Sequence, residues 1–225
     1  NDLQNRALEL CLFLSVPAAT ALVLASEQIN NLQNRALELC LFLSIPAAVA
    51  LVLASDEIVT SLFGYGSFDN QSVKNTALAL TFFAFGVPAF SILKIFSNFF
   101  FARNDTKLPF YLSVTSVILN ILISILFFSR VGFIIIPIAT SVSSWINVFL
   151  HFYFIKKRDL HSFDSNFIYK FPRIMLSVIT MGIILYLSLD FFASKFDYNE
   201  SWKFIYLFII VVISLLTYFL VSNFL

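Results

Sequence analysis

Residues 32–58 read LQNRALELCLFLSIPAAVALVLASDEI, and residues 3–29 are a near copy, LQNRALELCLFLSVPAATALVLASEQI. The two copies differ at four paired positions, and each change is mild: Val16/Ile45, Thr20/Val49, Glu27/Asp56 and Gln28/Glu57. Each copy has the length and the apolar content of a helix that crosses a bilayer, which needs about 20 residues. The repeated stretch therefore predicts a transmembrane helix, present twice at the start of a series of similar segments.

The composition of the chain is that of an integral membrane protein. Of its 225 residues, 60% are hydrophobic and 12% are charged, whereas soluble domains carry about 25% charged residues. The charges lie between the apolar runs, so the net charge of +1 gives no indication of a nucleic-acid partner. The chain begins at Asn1 without the pattern of a signal peptide, and we expect it to be the later part of a longer protein.

Seven helices are predicted from the apolar runs and the polar or glycine-containing residues between them. Their approximate limits are 6–26, 35–63, 74–102, 107–129, 132–155, 171–192 and 202–223. Backbone polar groups left unpaired in lipid cost several kcal/mol each, which favours helices, and the runs are too continuous for the alternating strands of a barrel. The predicted fold class is therefore an all-α, polytopic transmembrane helical bundle.

The distribution of Lys and Arg predicts the orientation of the bundle. If the Arg35 end of the second copy is cytoplasmic, the later basic residues fall on the same side: Arg103, Lys107, Lys156, Lys157, Arg158, Lys170 and Arg173. The last loop, which carries Asp190, Asp197 and Glu200, falls on the other side. The agreement across successive spans supports this assignment.

The first copy breaks the orientation pattern, because two consecutive spans would place Arg6 and Arg35 on opposite faces despite nearly identical surroundings. Three interpretations remain open: residues 1–30 are re-entrant or peripheral, they span in the reverse direction, or they are a duplication artefact. An inverted transporter repeat is normally diverged and several helices long. We therefore favour a recent duplication or artefact, with only the second copy in the working fold. Cys11 and Cys40 occupy equivalent apolar positions and are interpreted as small buried hydrophobes.

Lys94 is the principal candidate for function. It lies inside the third apolar run, where a cation is costly and tends to face a cavity or a partner; a lysine that reaches the interface with its ammonium group is the alternative. Ser97 and Asn98 continue the polar stripe from Lys94 towards Arg103, at helical spacing. We predict that Lys94, Ser97, Asn98 and Arg103 are substrate or cavity residues.

Other polar and helix-breaking residues have structural and functional interpretations. Gly86 and Pro88 interrupt the third helix and are hinge candidates. Asp105 is positioned to cap the next helix, and Pro109 falls in its first turn. Asn120, Trp145 and Asn147 are candidates for polar helix–helix contacts.

The sequence contains no recognisable catalytic or cofactor motif. It has no nucleophile elbow, no glycine-rich phosphate loop and no paired carboxylates on a helix face. His151 and His161 have no second ligand at metal-binding spacing. We therefore predict that the protein is not an enzyme and that it uses no metal or cofactor.

Several separated motifs resemble the C-terminal half of the MurJ/MviN lipid II flippase family. They are NRALELCLFLSIPAAVALVLASDEIVTSLFGYGSF (34–68), GVPAFSILKIFSNFFFARNDTKLP (86–109), and the later VILNILISILF and SVSSWINVFL segments. The resemblance covers about residues 34–160, and the last two helices match in placement more than in sequence. It implies a transporter of the MOP superfamily with two helical lobes around a central cavity. Residues 31–160 would then be helices of the second lobe, and 161–225 a C-terminal pair that forms a groove for a lipid tail.

The same resemblance implies a function and a location. The family carries lipid II, the undecaprenyl-pyrophosphate-linked precursor of peptidoglycan, across the bacterial inner (plasma) membrane by alternating access. The expected partners are lipid II and membrane lipids, with cell-wall synthesis proteins as further candidates. The cavity arginines of the family lie mostly in the first lobe, so Lys94 and Arg103 would make supporting contacts. The alternatives are another polyprenyl-linked polysaccharide exporter, a multidrug antiporter of the same superfamily, or a non-transporting scaffold for cell-wall synthesis.

Overall fold

The computed structural model describes residues 2–66, 68–161, 165–196 and 202–224, with the backbone alone for 2–26, 165–169, 194 and 195. This part of the chain forms seven α-helices and contains no strand. The helices are α1 (Asp2–Leu53), α2 (Ser55–Phe63), α3 (Asn70–Phe101), α4 (Lys107–Val131), α5 (Ile135–Lys157), α6 (Ser165–Phe191) and α7 (Lys203–Phe224). The predicted all-α class is confirmed.

The first two predicted helices are not separate, which corrects the sequence-based limits of 6–26 and 35–63. Helix α1 runs through both copies without a break, because no glycine or proline interrupts residues 18–45. At 1.5 Å per residue its length is about 78 Å, against about 30 Å for the hydrocarbon core. One continuous helix of this length is incompatible with two copies that cross the membrane in opposite directions.

The second predicted helix, 35–63, is interrupted: the chain turns at Ala54 and continues as the short helix α2, which ends at Phe63 as predicted. The Ser55 hydroxyl donates to the Val52 carbonyl oxygen at 3.4 Å and accepts from the Thr81 hydroxyl at 2.9 Å. Hydroxyl groups that bond to nearby carbonyl oxygens bend helices in this way. The break therefore follows from a serine whose partner is supplied by α3.

Helix α3 is the centre of the larger group of helices. It packs antiparallel to α1 and parallel to α5, while α4 packs on α5 and makes few contacts with α3. Gly132, with a φ of 75°, allows the tight turn between α4 and α5. The main core lies where α1, α3 and α5 meet, and its buried side chains are Leu37, Leu41, Ala89, Ile92, Phe96, Phe99, Phe100, Val148 and Ile155.

The C-terminal pair, α6 and α7, packs against the other side of α1. Pro46 has no N–H group, so the Phe42 carbonyl oxygen lacks the partner that a helix normally supplies four residues later. The Tyr218 hydroxyl of α7 donates to this oxygen at 2.7 Å. Pro46 thus leaves one carbonyl oxygen of α1 without a donor in its own helix, and a hydroxyl group from the second-to-last turn of α7 supplies the donor.

Most of the basic residues lie at one end of the bundle, as the orientation prediction requires, while Lys74, Arg130 and Lys203 lie at the other end. Arg158 forms an ion pair with Asp105 at 2.6 Å, and Lys170 forms one with Glu38 at 2.9 Å. The His161 ring lies between the side-chain amides of Gln33 and Asn34 at 3.2 and 2.8 Å. These contacts join α1 to the loop after α5, α1 to α6, and the loop before α4 to the end of α5, at what we call the basic end.

Five stretches of the described chain are long and apolar enough to cross a membrane, by length and composition. They are Glu27–Leu53, Asn70–Phe101, Lys107–Lys157, Lys170–Phe191 and Lys203–Phe224. The third of them contains the antiparallel pair α4 and α5, so it provides two crossings.

Candidate functional site

Lys94 and Asn98 lie on an exposed strip of α3, one helical turn apart, and Ser97 beside them is half-buried. On one side of this strip lies α1, which packs against α3. From Lys94 to Arg103 the helix rises roughly 13 Å. The ammonium group therefore belongs to the half of the membrane nearer the basic end.

A groove lies on the other side of the strip, between α3 and α4, and α5 forms its floor; most of the surface that lines it is apolar. It has a volume of about 450 Å³. Phe90 and Leu93 form the α3 wall, Ser116 and Asn120 belong to the α4 wall, and the floor carries Thr140, Ser143, Ser144 and Asn147. Lys94 lies one helical turn beyond Phe90, which lines the groove. The groove and the strip together form an open surface, which we call the α3 face.

Hydroxyl and amide groups hold the α4 wall to the floor. The Asn120 side-chain amide donates to the Thr140 hydroxyl at 3.0 Å, and the Ser116 hydroxyl donates to the Ser143 carbonyl oxygen at 3.0 Å. Each such bond between membrane helices contributes about 1 kcal/mol. Asn120 thus makes the interhelical contact that its residue type suggested.

Asn147 differs from Asn120, because its side-chain oxygen is buried and has no hydrogen-bond partner among the described residues. Its backbone carbonyl oxygen lies 3.0 Å from His151 Nδ1 within the same helix. A buried amide oxygen without a partner carries a desolvation cost of about 1–3 kcal/mol. The floor of the groove therefore keeps one unused acceptor.

Around Gly86 and Pro88, α3 packs closely against α5. A Cβ atom at Gly86 would lie 2.8 Å from Ser141 Oγ. The Ser141 hydroxyl donates to the Phe82 carbonyl oxygen at 2.6 Å, and the Trp145 indole N–H donates to that of Phe85 at 3.0 Å. Side chains of α5 thus bind backbone oxygens beside the proline, as neighbouring helices do around membrane prolines. A hinge at Gly86 and Pro88 remains a prediction.

The turn after α3 places Arg103, Asp105 and Pro109 at the basic end. Arg103 donates to the Phe99 carbonyl oxygen at 3.1 Å and also binds that of Leu160. Its guanidinium group therefore closes the end of α3 and holds the loop after α5, and it lies apart from the Lys94 strip.

Asp105 makes the capping bond expected from the sequence. Its Oδ1 accepts from the Leu108 backbone N–H at 3.2 Å, and Pro109 is buried in the first turn of α4. The Leu108 N–H, together with the Arg158 guanidinium, holds the pKa of Asp105 below its ordinary value. The carboxylate is therefore ionised throughout the neutral range.

Lys203 is a polar residue that the sequence analysis missed. It is fully buried at the end opposite to the basic end, where its Nζ donates to the Gly64 carbonyl oxygen at 2.8 Å. The ammonium group also lies 4.1 Å from the centre of the Tyr65 ring, within range of a cation–π interaction. A lysine on the non-cytoplasmic side of a membrane span departs from the charge rule, and that departure was the available signal.

These features define the class: a multi-pass, all-α membrane protein with an open groove along one helix and an exposed lysine beside it. Among the described residues no group of His, Cys, Asp or Glu is arranged to hold a metal ion.

Comparison with known proteins identifies the family. A family model described as lipid II flippase MurJ matches residues 25–208. The probable lipid II flippase MurJ of Rhizobium meliloti (strain 1021) is 31% identical, over 85% of this chain and 30% of the relative. The probable lipid II flippase MurJ of Rickettsia prowazekii (strain Madrid E) is 30% identical, over 88% of this chain and 33% of the relative. A solved structure, lipid II flippase MurJ in an inward closed conformation, has a TM-score of 0.72 and 27% identity, and the match covers 88% of this chain and 39% of the solved one.

The chain belongs to the lipid II flippase MurJ family, and the family predicted from the sequence is confirmed. It is a multi-pass protein of the bacterial inner membrane, and its fold is part of a MOP-type transporter fold. The chain spans about a third of the length of the curated relatives that it matches.

Proposed function

We propose that this chain forms the second lobe and the C-terminal helix pair of a lipid II flippase. The whole protein would move the undecaprenyl-linked precursor from the cytoplasmic to the periplasmic leaflet by alternating access, without making or breaking a covalent bond. Membership of the MurJ family carries this proposal. Lipid II is the partner that the family name indicates, and cell-wall synthesis proteins are further candidates.

Lys94 is the residue that we assign to the substrate within this chain. Its exposure on the α3 face supports the assignment, since an exposed cation at membrane depth can meet an anionic headgroup. Ser97 and Asn98 add hydrogen-bonding groups on the same surface. Arg103 has two backbone partners, so we assign it a positioning role at the end of α3.

Rescue of a bacterium depleted of its own flippase tests the function and the role of Lys94. The full parent gene should restore both survival and periplasmic exposure of lipid II. Lys94→Leu should reduce that exposure, whereas Lys107→Leu, which removes an exposed cation outside the α3 face, should leave it unchanged. A scaffold would tolerate both changes, so equal exposure in the two variants would contradict the transport role.

The choice of substrate needs a separate comparison. Lipid II, other polyprenyl-linked sugars and cationic drugs should be offered in competition to the reconstituted parent protein. Selective transport of lipid II is expected, and preference for another polyprenyl-linked sugar or a drug would favour the other members of the superfamily. The isolated chain lacks most of the family's length and should show no transport in liposomes.

We also propose a division of labour along the chain. Residues 31–160 would form the second-lobe helices and 161–225 the pair with a lipid-tail groove, while 1–30 would stand outside the working fold. The family match from residue 25 onwards supports this division. Deletion of residues 3–31, which removes one repeat unit, should preserve rescue by the parent gene; loss of rescue with normal membrane insertion would contradict it.

A further inference from the structure

A second groove opens at the basic end of the bundle, on the side of α1 that faces away from α3. It lies between α1, α6 and α7 and has a volume of about 310 Å³. Its wall residues are Leu39 and Phe42 from α1, Lys170, Arg173 and Ile174 from α6, and Ser222 from α7. We call it the α1–α6 groove. Lys94 lies on the opposite side of α1, so this groove is separate from the α3 face.

The mouth of the α1–α6 groove carries a net positive charge. Lys170 and Arg173 stand one helical turn apart on α6, and Glu38 on α1 is the one acidic residue among the described residues of the lining. Glu38 pairs with Lys170 at 2.9 Å, whereas Arg173 has no ion pair among the residues described here. Because an ammonium group has three N–H donors, Lys170 can bind a further anion without leaving Glu38. The planar guanidinium of Arg173 suits the two oxygens of a phosphate.

The rest of the groove is apolar. Leu39 is 60% exposed, and Ile174 is buried at the base. The Phe42 ring, which lines the groove, lies 5.0 Å from the buried Tyr218 ring, centre to centre. A surface with cations at its mouth and hydrocarbon below complements an amphiphile that carries a phosphate at one end.

We propose that the α1–α6 groove binds an anionic phospholipid of the cytoplasmic leaflet. Arg173 and Lys170 would hold the phosphate, the Ser222 hydroxyl would donate to the headgroup, and the upper acyl chain would lie against Leu39. Anionic lipids are enriched in the cytoplasmic leaflet, on which the positive-inside rule places this end of the bundle. The bound lipid would fill the junction between α1 and the C-terminal pair, and this role does not depend on the transported substrate.

Lipid retention by the purified full chain tests the proposal. The chain is reconstituted in vesicles of phosphatidylcholine and phosphatidylglycerol, extracted into mild detergent, and the phosphatidylglycerol that stays bound is counted by native mass spectrometry. Arg173→Gln should reduce its apparent affinity about fivefold, the effect of one basic residue at an anionic membrane surface. Glu38→Gln removes the acidic neighbour and should raise the affinity by about the same factor. Lys156→Gln, at an exposed cation on α5, is the matched control.

A misfolded variant would bind less phosphatidylglycerol, so the higher affinity expected for Glu38→Gln cannot arise from misfolding. Equal losses for Arg173→Gln and Lys156→Gln would reveal general attraction to the membrane surface and overturn the proposal. So would full retention of phosphatidylglycerol by Arg173→Gln. Undecaprenyl pyrophosphate is added in a separate arm: if it alone responds to Arg173→Gln and Glu38→Gln, the groove belongs to the polyprenyl substrate, and the phospholipid assignment is wrong.

Discussion

Tyr218→Phe removes one hydroxyl group and leaves the ring contacts of a fully buried side chain in place. In the native protein this hydroxyl donates to the Phe42 carbonyl oxygen at 2.7 Å, an acceptor that Pro46 leaves without a helical partner. The substitution therefore leaves a backbone oxygen unpaired in an apolar part of the bundle, where no water replaces the lost donor. The contact also joins α7 to α1.

The cost of this change follows from the loss of one hydrogen bond at a buried acceptor. The net contribution of a hydrogen bond to stability is about 0.5–1.5 kcal/mol, and a buried polar group left without a partner costs about 1–3 kcal/mol. Hydrogen bonds between membrane helices contribute up to about 1.7 kcal/mol. We expect Tyr218→Phe to lower the free energy of unfolding by about 1–2 kcal/mol. The Phe42–Tyr218 ring packing at 5.0 Å should persist.

Pro46→Ala supplies the missing N–H and turns this expectation into a double-mutant cycle. With Ala at position 46, the Phe42 carbonyl oxygen regains a partner inside α1, so Tyr218→Phe should cost almost nothing in that background. Unfolding is measured in mixed micelles with a rising fraction of denaturing detergent, with Trp145 and Trp202 as fluorescence probes. Tyr186→Phe, at a side chain 61% exposed, is the control for the chemical change. If Tyr218→Phe lowers the free energy of unfolding by the same amount with Pro46 as with Ala at position 46, the reasoning is refuted.

Three further expectations concern other contacts. Gly86→Ala places a Cβ atom 2.8 Å from Ser141 Oγ and should destabilise the bundle by about 1–3 kcal/mol. Gly182→Ala is the control, because its Cβ atom would have its nearest contacts at 3.5 Å, and it should leave the stability unchanged. Equal unfolding curves for the two variants would contradict this expectation. Burial and then the charge of Arg103 hold the pKa of His161 below its ordinary 6.5. The unfolded chain therefore binds more protons below about pH 6.5, so the free energy of unfolding should fall as the pH drops from about 7 to 5, and should fall less in His161→Gln. Lys203→Met should release the Gly64 carbonyl oxygen, so hydrogen exchange in residues 64–69 should become faster; unchanged exchange would assign the ammonium group no role in holding that loop.

Much of the architecture could be predicted because the bilayer permits few solutions. The apolar runs that became α3, α4, α5 and α7 were predicted with limits within a few residues of the structure, since polar turns and Pro or Gly bound them. The failures lie where local sequence carries no boundary. No breaker separates the two copies, so α1 is continuous, and the break at Ala54 depends on a hydroxyl group of Thr81, which is distant in sequence.

The candidate site was predicted in part for the same reason. Lys94 stands out in the sequence because a cation inside an apolar run is costly, and its spacing to Asn98 places both on one strip. Arg103 is equally conspicuous, yet its partner is the Leu160 carbonyl oxygen, which only the folded chain brings near. The groove beside Lys94 escaped prediction altogether, because ordinary serines and threonines form its floor.

The sequence by itself determined that the chain crosses a membrane as a helical bundle, which end carries its positive charge, and its family. Those properties depend on the length of apolar runs, on the placement of charges and on local motifs, all of which are local in the chain. Only the tertiary structure decided that α3 lies between α1 and α5, that Tyr218 satisfies the acceptor left by Pro46, and that Lys170 and Arg173 stand above an apolar groove. These contacts join residues far apart in sequence, and their partners are set by how the helices pack.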